Sequence, residues 1–292
     1  MKTKIFLCLM TAFSLVSCTK QNEPNNPNAK GGALVGRFSI GEGKQVYFSQ
    51  GNLQYRASSD TWRFAENQYD TLGCANQNIS STYEGWIDLF GWGTSGYNNK
   101  YPYMTSINPF DYGDGNNDIA DTEYDYGYHN KISNGGNKKG EWRTLTHEEW
   151  FCLLHARTDA SNLKGRATVN GVHGIIILPD GWICPPNIIW SGTQNGWSAN
   201  QYAGENWIQM ELSGAVFLPC AGYRHGTDMT KNRMAVAEDV YTVGEYGRYW
   251  TSSYQHEDKA YSIGFEESNG FGCGFVDDRC EGLSVRLVKD AK

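Results

Sequence analysis

Positive charge is in short supply in this chain. Among its 292 residues, 25 Lys and Arg stand against 32 Asp and Glu, for a net charge of −7. A phosphate-backbone binder needs a basic face, so nucleic acid is excluded as a partner. Beyond the first residues, no apolar run reaches the roughly 18 residues that a membrane-crossing helix requires. Metal and nucleophile motifs are missing too. His129, His147, His155, His173, His225 and His256 form no H-E-x-x-H or comparable cluster, and there is no C-x₂-C pair, G-x-S-x-G elbow or P-loop. No catalytic residue is assigned on these grounds, and no cofactor is expected. The body also lacks a linker rich in Pro and Gly, which points to a single domain over residues 34–292.

What is present begins at the N-terminus. Lys2 and Lys4 precede the apolar run "IFLCLMTAFSLV", too short to span a bilayer, and small Ser17 and Cys18 close it. Residues 1–17 read as a secretory signal peptide. The ending Leu15-Val16-Ser17-Cys18 resembles a bacterial lipobox, which implies cleavage before Cys18 and lipidation of its thiol. The following "TKQNEPNNPNAKGG" holds no apolar residue larger than Ala29. Such a segment cannot offset its ordering entropy, so residues 18–33 are expected to be a disordered tether. The expected location is the outer membrane, through the lipid anchor, with the periplasmic and surface faces both open. Export permits disulfides among Cys74, Cys152, Cys184, Cys220, Cys273 and Cys280. Cys273 and Cys280 are spaced to close a hairpin. Cys152, Cys184 and Cys220 sit among apolar residues and read as small buried hydrophobes.

Along the body, "QVYFSQGNLQYR" predicts two short strands around a turn at Gly51-Asn52, and "TWRFA" predicts another. "GWIDLFGWGTSGYNN" reads as a packed loop. The polar stretch that follows carries turn residues throughout, with Asp111, Asp114, Asp118, Asp121 and Asp125. These lack the EF-hand spacing; a looser Ca²⁺ site is the alternative to solvated loop aspartates. "TLTHEEWFCLLHAR" predicts a helix, with Thr146 and Glu149 as a capping box and Trp150, Leu153 and Leu154 on one face. A strand, a turn at Asn170-Gly171 and a buried strand from Ile175 to Leu178 come next. "GAVFLPCAGYR", "GRYWTSSY", "AYSIGF" and "LSVRLV" predict further short strands. One helix among many short strands defines an α+β chain with loop-rich antiparallel sheets.

The series "WRTLTHEEW", "LPDGW", "FLPCAGYR", "YWTSSY" and "GLSVRLV", over residues 140–292, resembles the Fibrobacter-type major paralogous domain. The preceding "VYFSQGNLQYR" to "GWIDLFGWGTSGYN" looks like the N-terminal part of the same lipoproteins. The resemblance implies a C-type-lectin-like fold of the formylglycine-generating-enzyme type. Enzymes of that type hold copper with a cysteine pair upstream of their closing strand. Here Cys280 lies almost on "GLSVR", so the placement does not match. The calcium-binding tripeptide of C-type lectins occurs only as Glu23-Pro24-Asn25, inside the tether. Residues 262–284 contain no Lys, Gln, Met or Trp, and this stretch resembles the variable region of proteins diversified by retroelement mutagenesis; an ordinary polar surface loop is the alternative.

A contact surface is therefore expected near the C-terminus. Tyr261, Ile263, Phe265, Val285 and Leu287 would face inward. Ser262, Gly264, Asn269, Phe271, Phe275, Asp277 and Asp278 would face outward, extended by Tyr249, Trp250 and Tyr254. The expected function is binding of an external protein or glycan by a lipid-anchored body. A structural or adhesin-like surface component is the second reading, and an oxidase the third.

Overall fold

The structure is a computed structural model that describes residues 31–229, 243–267 and 271–291. Its clearest local signal, the capping box, forms as the sequence requires. The Thr146 hydroxyl accepts from the Glu149 amide at 3.2 Å, and the Glu149 carboxylate accepts from the Thr146 amide at 2.9 Å. The helix His147–Phe151 follows and runs on as a π-helical turn over Cys152–Ala156. Trp150, Leu153 and Leu154 are buried on the face that the periodicity assigns to the core.

Among the described residues the strands fall into five small sheets. The chain is thus mixed α+β, rich in strands and poor in helices. One sheet sets Phe38–Gly41, Lys44–Phe48, Leu287–Asp290 and Arg143–Thr144 side by side, all antiparallel. A second carries the hairpin Lys164–Val169 and Val172–Ile177, flanked by Val216–Pro219 and a short parallel Gln201–Tyr202. Asn170 and Gly171 both take positive φ, 47° and 83°, the twist that a tight hairpin turn demands. The third sheet is an antiparallel meander of Gly247–His256, Lys259–Phe265 and Gly272–Asp278. Leu53–Arg56 pairs with Thr61–Phe64, and Arg224–His225 with Glu281–Gly282.

The strands on either side of Gly51-Asn52 exist but do not pair with each other. The backbone between them is claimed by the C-terminus: Ser49 donates to the Leu287 carbonyl and Leu53 to the Val285 carbonyl, both at 2.9 Å. "LSVRLV" is only partly a strand. Leu283 and Ser284 make isolated bridges to Phe90 and Tyr249 before the regular ladder begins at Leu287. The aromatic loop at 85–99 is packed as expected, with Ile87, Leu89, Phe90 and Trp92 fully buried. The folded body begins slightly earlier than the composition suggests. The Gly32 carbonyl accepts from the Gln50 amide at 2.8 Å and Ala33 bridges Ser49, so these two residues belong to the body and not to the tether.

One core lies between the first sheet, the capped helix, the inner face of the second sheet and the meander, and it contains Phe38, Phe48, Trp150, Ile175, Tyr249 and Phe265. A second, more aromatic core gathers Trp62, Phe64, Phe90, Trp92, Tyr126, Trp142 and Trp250. The helix Glu205–Leu212 covers the other face of the second sheet through Trp207 and Met210.

Two carboxylates are sealed inside. Asp125 caps the short helix Tyr126–His129 through the Gly127 amide and also accepts from the Thr144 amide at 2.9 Å. Asp88 accepts from Asn76 Nδ2 at 2.7 Å and the Leu72 amide at 2.8 Å. Burial outweighs these bonds and pushes both carboxyls up to about 6 from an ordinary 3.8. Between those values the folded chain holds protons that the unfolded chain has released. The stability each group contributes is therefore present on the acid side and lost as pH rises through about 6. Replacing Asp88 by Asn removes this titration, so the urea midpoint of the wild type relative to Asp88→Asn is expected to fall between pH 4 and pH 6 and to level above that. Thr146→Ala is expected to cost about 1 kcal/mol in the same measurement, from loss of the cap.

Candidate functional site

The C-terminal surface named by the sequence is mostly interior. Tyr249 is fully buried, and its hydroxyl donates to the Pro219 carbonyl at 2.9 Å and accepts from Asn52 Nδ2 at 3.0 Å. Trp250 is fully buried in the aromatic core, with its indole N–H on the Phe90 carbonyl at 2.7 Å. Ser262 and Gly264, expected to face outward, are buried as well. They sit on the central strand of the meander, and that strand is covered on both faces, so alternation there does not separate inside from outside. The Arg248 guanidinium fills the space beside Gly264, where a Cβ would meet Nη1 at 2.7 Å.

The remaining candidates are half-buried and already engaged. Phe275 lies under the Arg248 guanidinium at 4.0 Å, and Asp277 accepts from the Ser262 hydroxyl. Asp278 pairs with Lys259. Phe271 packs edge-on against Phe265 at 6.1 Å, with Lys164 above its ring. Tyr254 lies against the Arg279 guanidinium. Tyr261 is half-buried rather than core and stacks on His147 at 4.2 Å. Ile263, Phe265, Val285 and Leu287 are buried as expected. Cys18 and Asn269 lie outside the described residues. Cys273 and Cys280 do not close a hairpin: both are buried free thiols, one on the edge strand and one in the turn beyond it. Cys184 is exposed, against the expectation of burial, Cys152 is half-buried and Cys220 is buried. Among the described residues no three His, Cys, Asp or Glu side chains come together to hold a metal ion. The loop aspartates serve the backbone and nearby side chains instead: Asp118 accepts from the Tyr254 amide and Asp111 from Ser106 and Asn108.

A cleft of about 930 Å³ runs between the first sheet and the capped helix. Of the two cationic groups that line it, Lys44 lies exposed at the edge and Arg143 is already committed. Arg143 donates to both Glu149 oxygens at 2.7 and 2.9 Å and twice to Asp290 Oδ1, at 3.1 and 2.9 Å. This fork closes a structural joint and offers no free donor set to a ligand.

A smaller cleft of about 310 Å³ has a different character. Tyr55 reaches it from the strand Leu53–Arg56, and Asp60 stands at the hairpin turn in left-handed backbone, φ 45°. The Tyr55 hydroxyl donates to Asp60 Oδ1 at 3.1 Å. The opposite wall comes from the loop after Gly96, closed by the Gly96 amide on the Lys100 carbonyl at 2.8 Å. There Tyr101 and Tyr103 stack face to face, centroids 5.2 Å apart and planes within 4°. Asn130 holds the floor by donating to the Ser95 and Tyr126 carbonyls at 2.8 and 3.0 Å. Tyr97, outside the cleft lining, packs edge-on against Tyr124 at 5.1 Å and against His129, which lines the cleft, at 5.7 Å. Tyr97 and Tyr101 are 42% and 38% exposed. The Tyr103 hydroxyl has no hydrogen-bond partner among the described residues, and burial raises that phenol above its ordinary value. Flat apolar rings beside a carboxylate and phenols can hold a ligand that has a C–H face and hydroxyl edges.

The sequence reading missed this cleft. Three tyrosines within seven residues, 97–103, were a local hint, but Tyr55 and Asp60 arrive from another hairpin and only the fold brings them there. No family model, curated protein or solved structure matches the chain.

The burial difference between the two kinds of C-terminal residue is directly measurable. Trp250→Ala is expected to lower unfolding stability by about 3–5 kcal/mol. Val276→Ala, on the exposed side of the edge strand, is expected to stay within about 0.5 kcal/mol by urea denaturation.

Proposed function

We propose that this chain is an exported lipoprotein, anchored through Cys18 at the outer membrane, whose C-type-lectin-like domain binds a glycan at the tyrosine cleft. The observation that carries the reading is the parallel Tyr101–Tyr103 pair beside Asp60 in an open cleft. Stacked tyrosines give rigid contact area at low entropic cost, and the adjoining carboxylate accepts from sugar hydroxyls. The resemblance of residues 140–292 to the major paralogous lipoproteins supports the same setting. The reading places recognition away from residues 249–278, because four of the residues nominated there, Tyr249, Trp250, Ser262 and Gly264, are buried. A structural surface component is the second reading, favoured by the burial of Tyr249 and Trp250.

Calorimetric titration with glycans selected on an array tests the proposal. Tyr101→Ala combined with Tyr103→Ala is expected to weaken binding tenfold or more, about 1.4 kcal/mol, while unfolding in urea stays cooperative, its midpoint lowered by loss of the Tyr103 packing. In this reading the contacts are rings, phenols and one carboxylate, so a chelator is expected to leave affinity unchanged. Undiminished binding by the double variant would sink the proposal.

A further inference from the structure

The sequence from Gly181 through Gly204 contains no charged residue, an unusual run in a chain that is 20% charged. Its first part, "GWICPPNIIW", is a surface loop without a strand or helix of its own. Ile183 and Ile189 are 84% and 87% exposed, the two most exposed large hydrophobics among the described residues. Trp182 and Trp190 pack against each other at the base of the loop, centroids 6.1 Å apart. Their indole N–H groups are satisfied by Ser213 Oγ and the Asn162 carbonyl, both at 2.8 Å. The isoleucines are thus held outward on a braced platform. Such a patch carries a desolvation gain and no buried charge to oppose it.

The loop also lies beside the place where the N-terminal segment joins the body. The Asp180 amide donates to the Arg37 carbonyl at 2.9 Å, and a Cβ on Gly36 would meet Pro179 at 3.0 Å and the Gly214 carbonyl at 2.6 Å. Val35 and Leu212, both about half exposed, flank this junction. Gly31, the first described residue, is five residues from Gly36, hence within roughly 18 Å of the loop's base. The chain outside the structure on this side is residues 1–30, with Cys18 within it.

We propose that the Trp182–Trp190 loop is a membrane-contact surface: Ile183 and Ile189 insert among the acyl chains of the bilayer that holds the lipid on Cys18, with the two tryptophans at the headgroup level. Tryptophan favours that depth, and the absence of Lys and Arg makes the contact indifferent to anionic lipid. The loop then fixes the orientation of the body on the bilayer. This inference rests on the lipid-anchor reading for its geometry, and the experiment separates the two.

Full-length protein is bound to vesicles of phosphatidylethanolamine and phosphatidylcholine, with a nitroxide on Cys184 in a Cys74→Ser background. The label is expected to be more accessible to oxygen than to a polar nickel reagent, and Ile183→Asp with Ile189→Asp is expected to reverse that order. A label that stays water-accessible in the unsubstituted loop overturns the proposal. So does protection that arises without vesicles, with light scattering showing a dimer, because the occupant is then a second copy. Mass spectrometry of Cys18 reports the anchor separately. If Cys18 carries no acyl chain, the anchor reading fails while vesicle sedimentation still decides the loop: partitioning abolished by the Asp pair upholds it, and no partitioning overturns it.

Discussion

The guanidinium of Arg286 has almost no water around it, and the rest of the structure is arranged to make that tolerable. It donates to Gln68 Oε1 at 2.8 Å and, more weakly, to Asn52 Oδ1 and the Phe217 carbonyl at 3.4 Å each. Burial pushes the group down to about 10, even with the Tyr249 phenol and Glu211 nearby. A buried cation is costly unless its bonds are made, so the three acceptors must come together. They come from the turn before Leu53, the turn after the hairpin Leu53–Phe64, and the second sheet. Arg286 therefore ties distant parts of the chain to the C-terminus.

Arg279 repeats the arrangement a few residues earlier. It donates to the Gly115 and His256 carbonyls at 2.6 and 2.9 Å while its face covers Trp92 at 4.7 Å. Between these two arginines the chain bridges Phe90 and Tyr249, and after them it completes the first sheet. The closing segment thus joins elements that are far apart in the chain. Tyr249 and Trp250 lie inside because their strand packs into both cores and bridges the closing segment at Ser284, whereas Ser262 and Gly264 are covered by Arg248, Phe275 and Asp277 of the flanking strands. The surfaces left open, the tyrosine cleft and the isoleucine loop, are built by loops, each braced by bonds at its base.

What local sequence could reveal, it revealed well. The capping box at Thr146 and Glu149, the turn at Asn170-Gly171, the first two meander strands and the packed aromatic loop all depend on residues within a few positions of one another, whereas the third meander strand, Gly272–Asp278, reads in the sequence as surface loop. The inward set Ile263, Phe265, Val285 and Leu287 followed from alternation. Alternation failed at Ser262 and Gly264 because it assumes one wet face. A central strand covered on both sides breaks that assumption, and small residues are then a packing requirement rather than a sign of exposure.

The sequence by itself determined the α+β class, the helix and its start, the hairpin turns and the acidic character, because each rests on short-range periodicity or composition. Only the tertiary structure decided which aromatics are core, that Arg286 is interior, that the strands flanking Gly51 pair elsewhere, and that Tyr55 and Asp60 meet Tyr101 and Tyr103. Those outcomes depend on contacts between residues far apart in the chain. No local pattern encodes such contacts, because burial is a property of what arrives from elsewhere to cover a face.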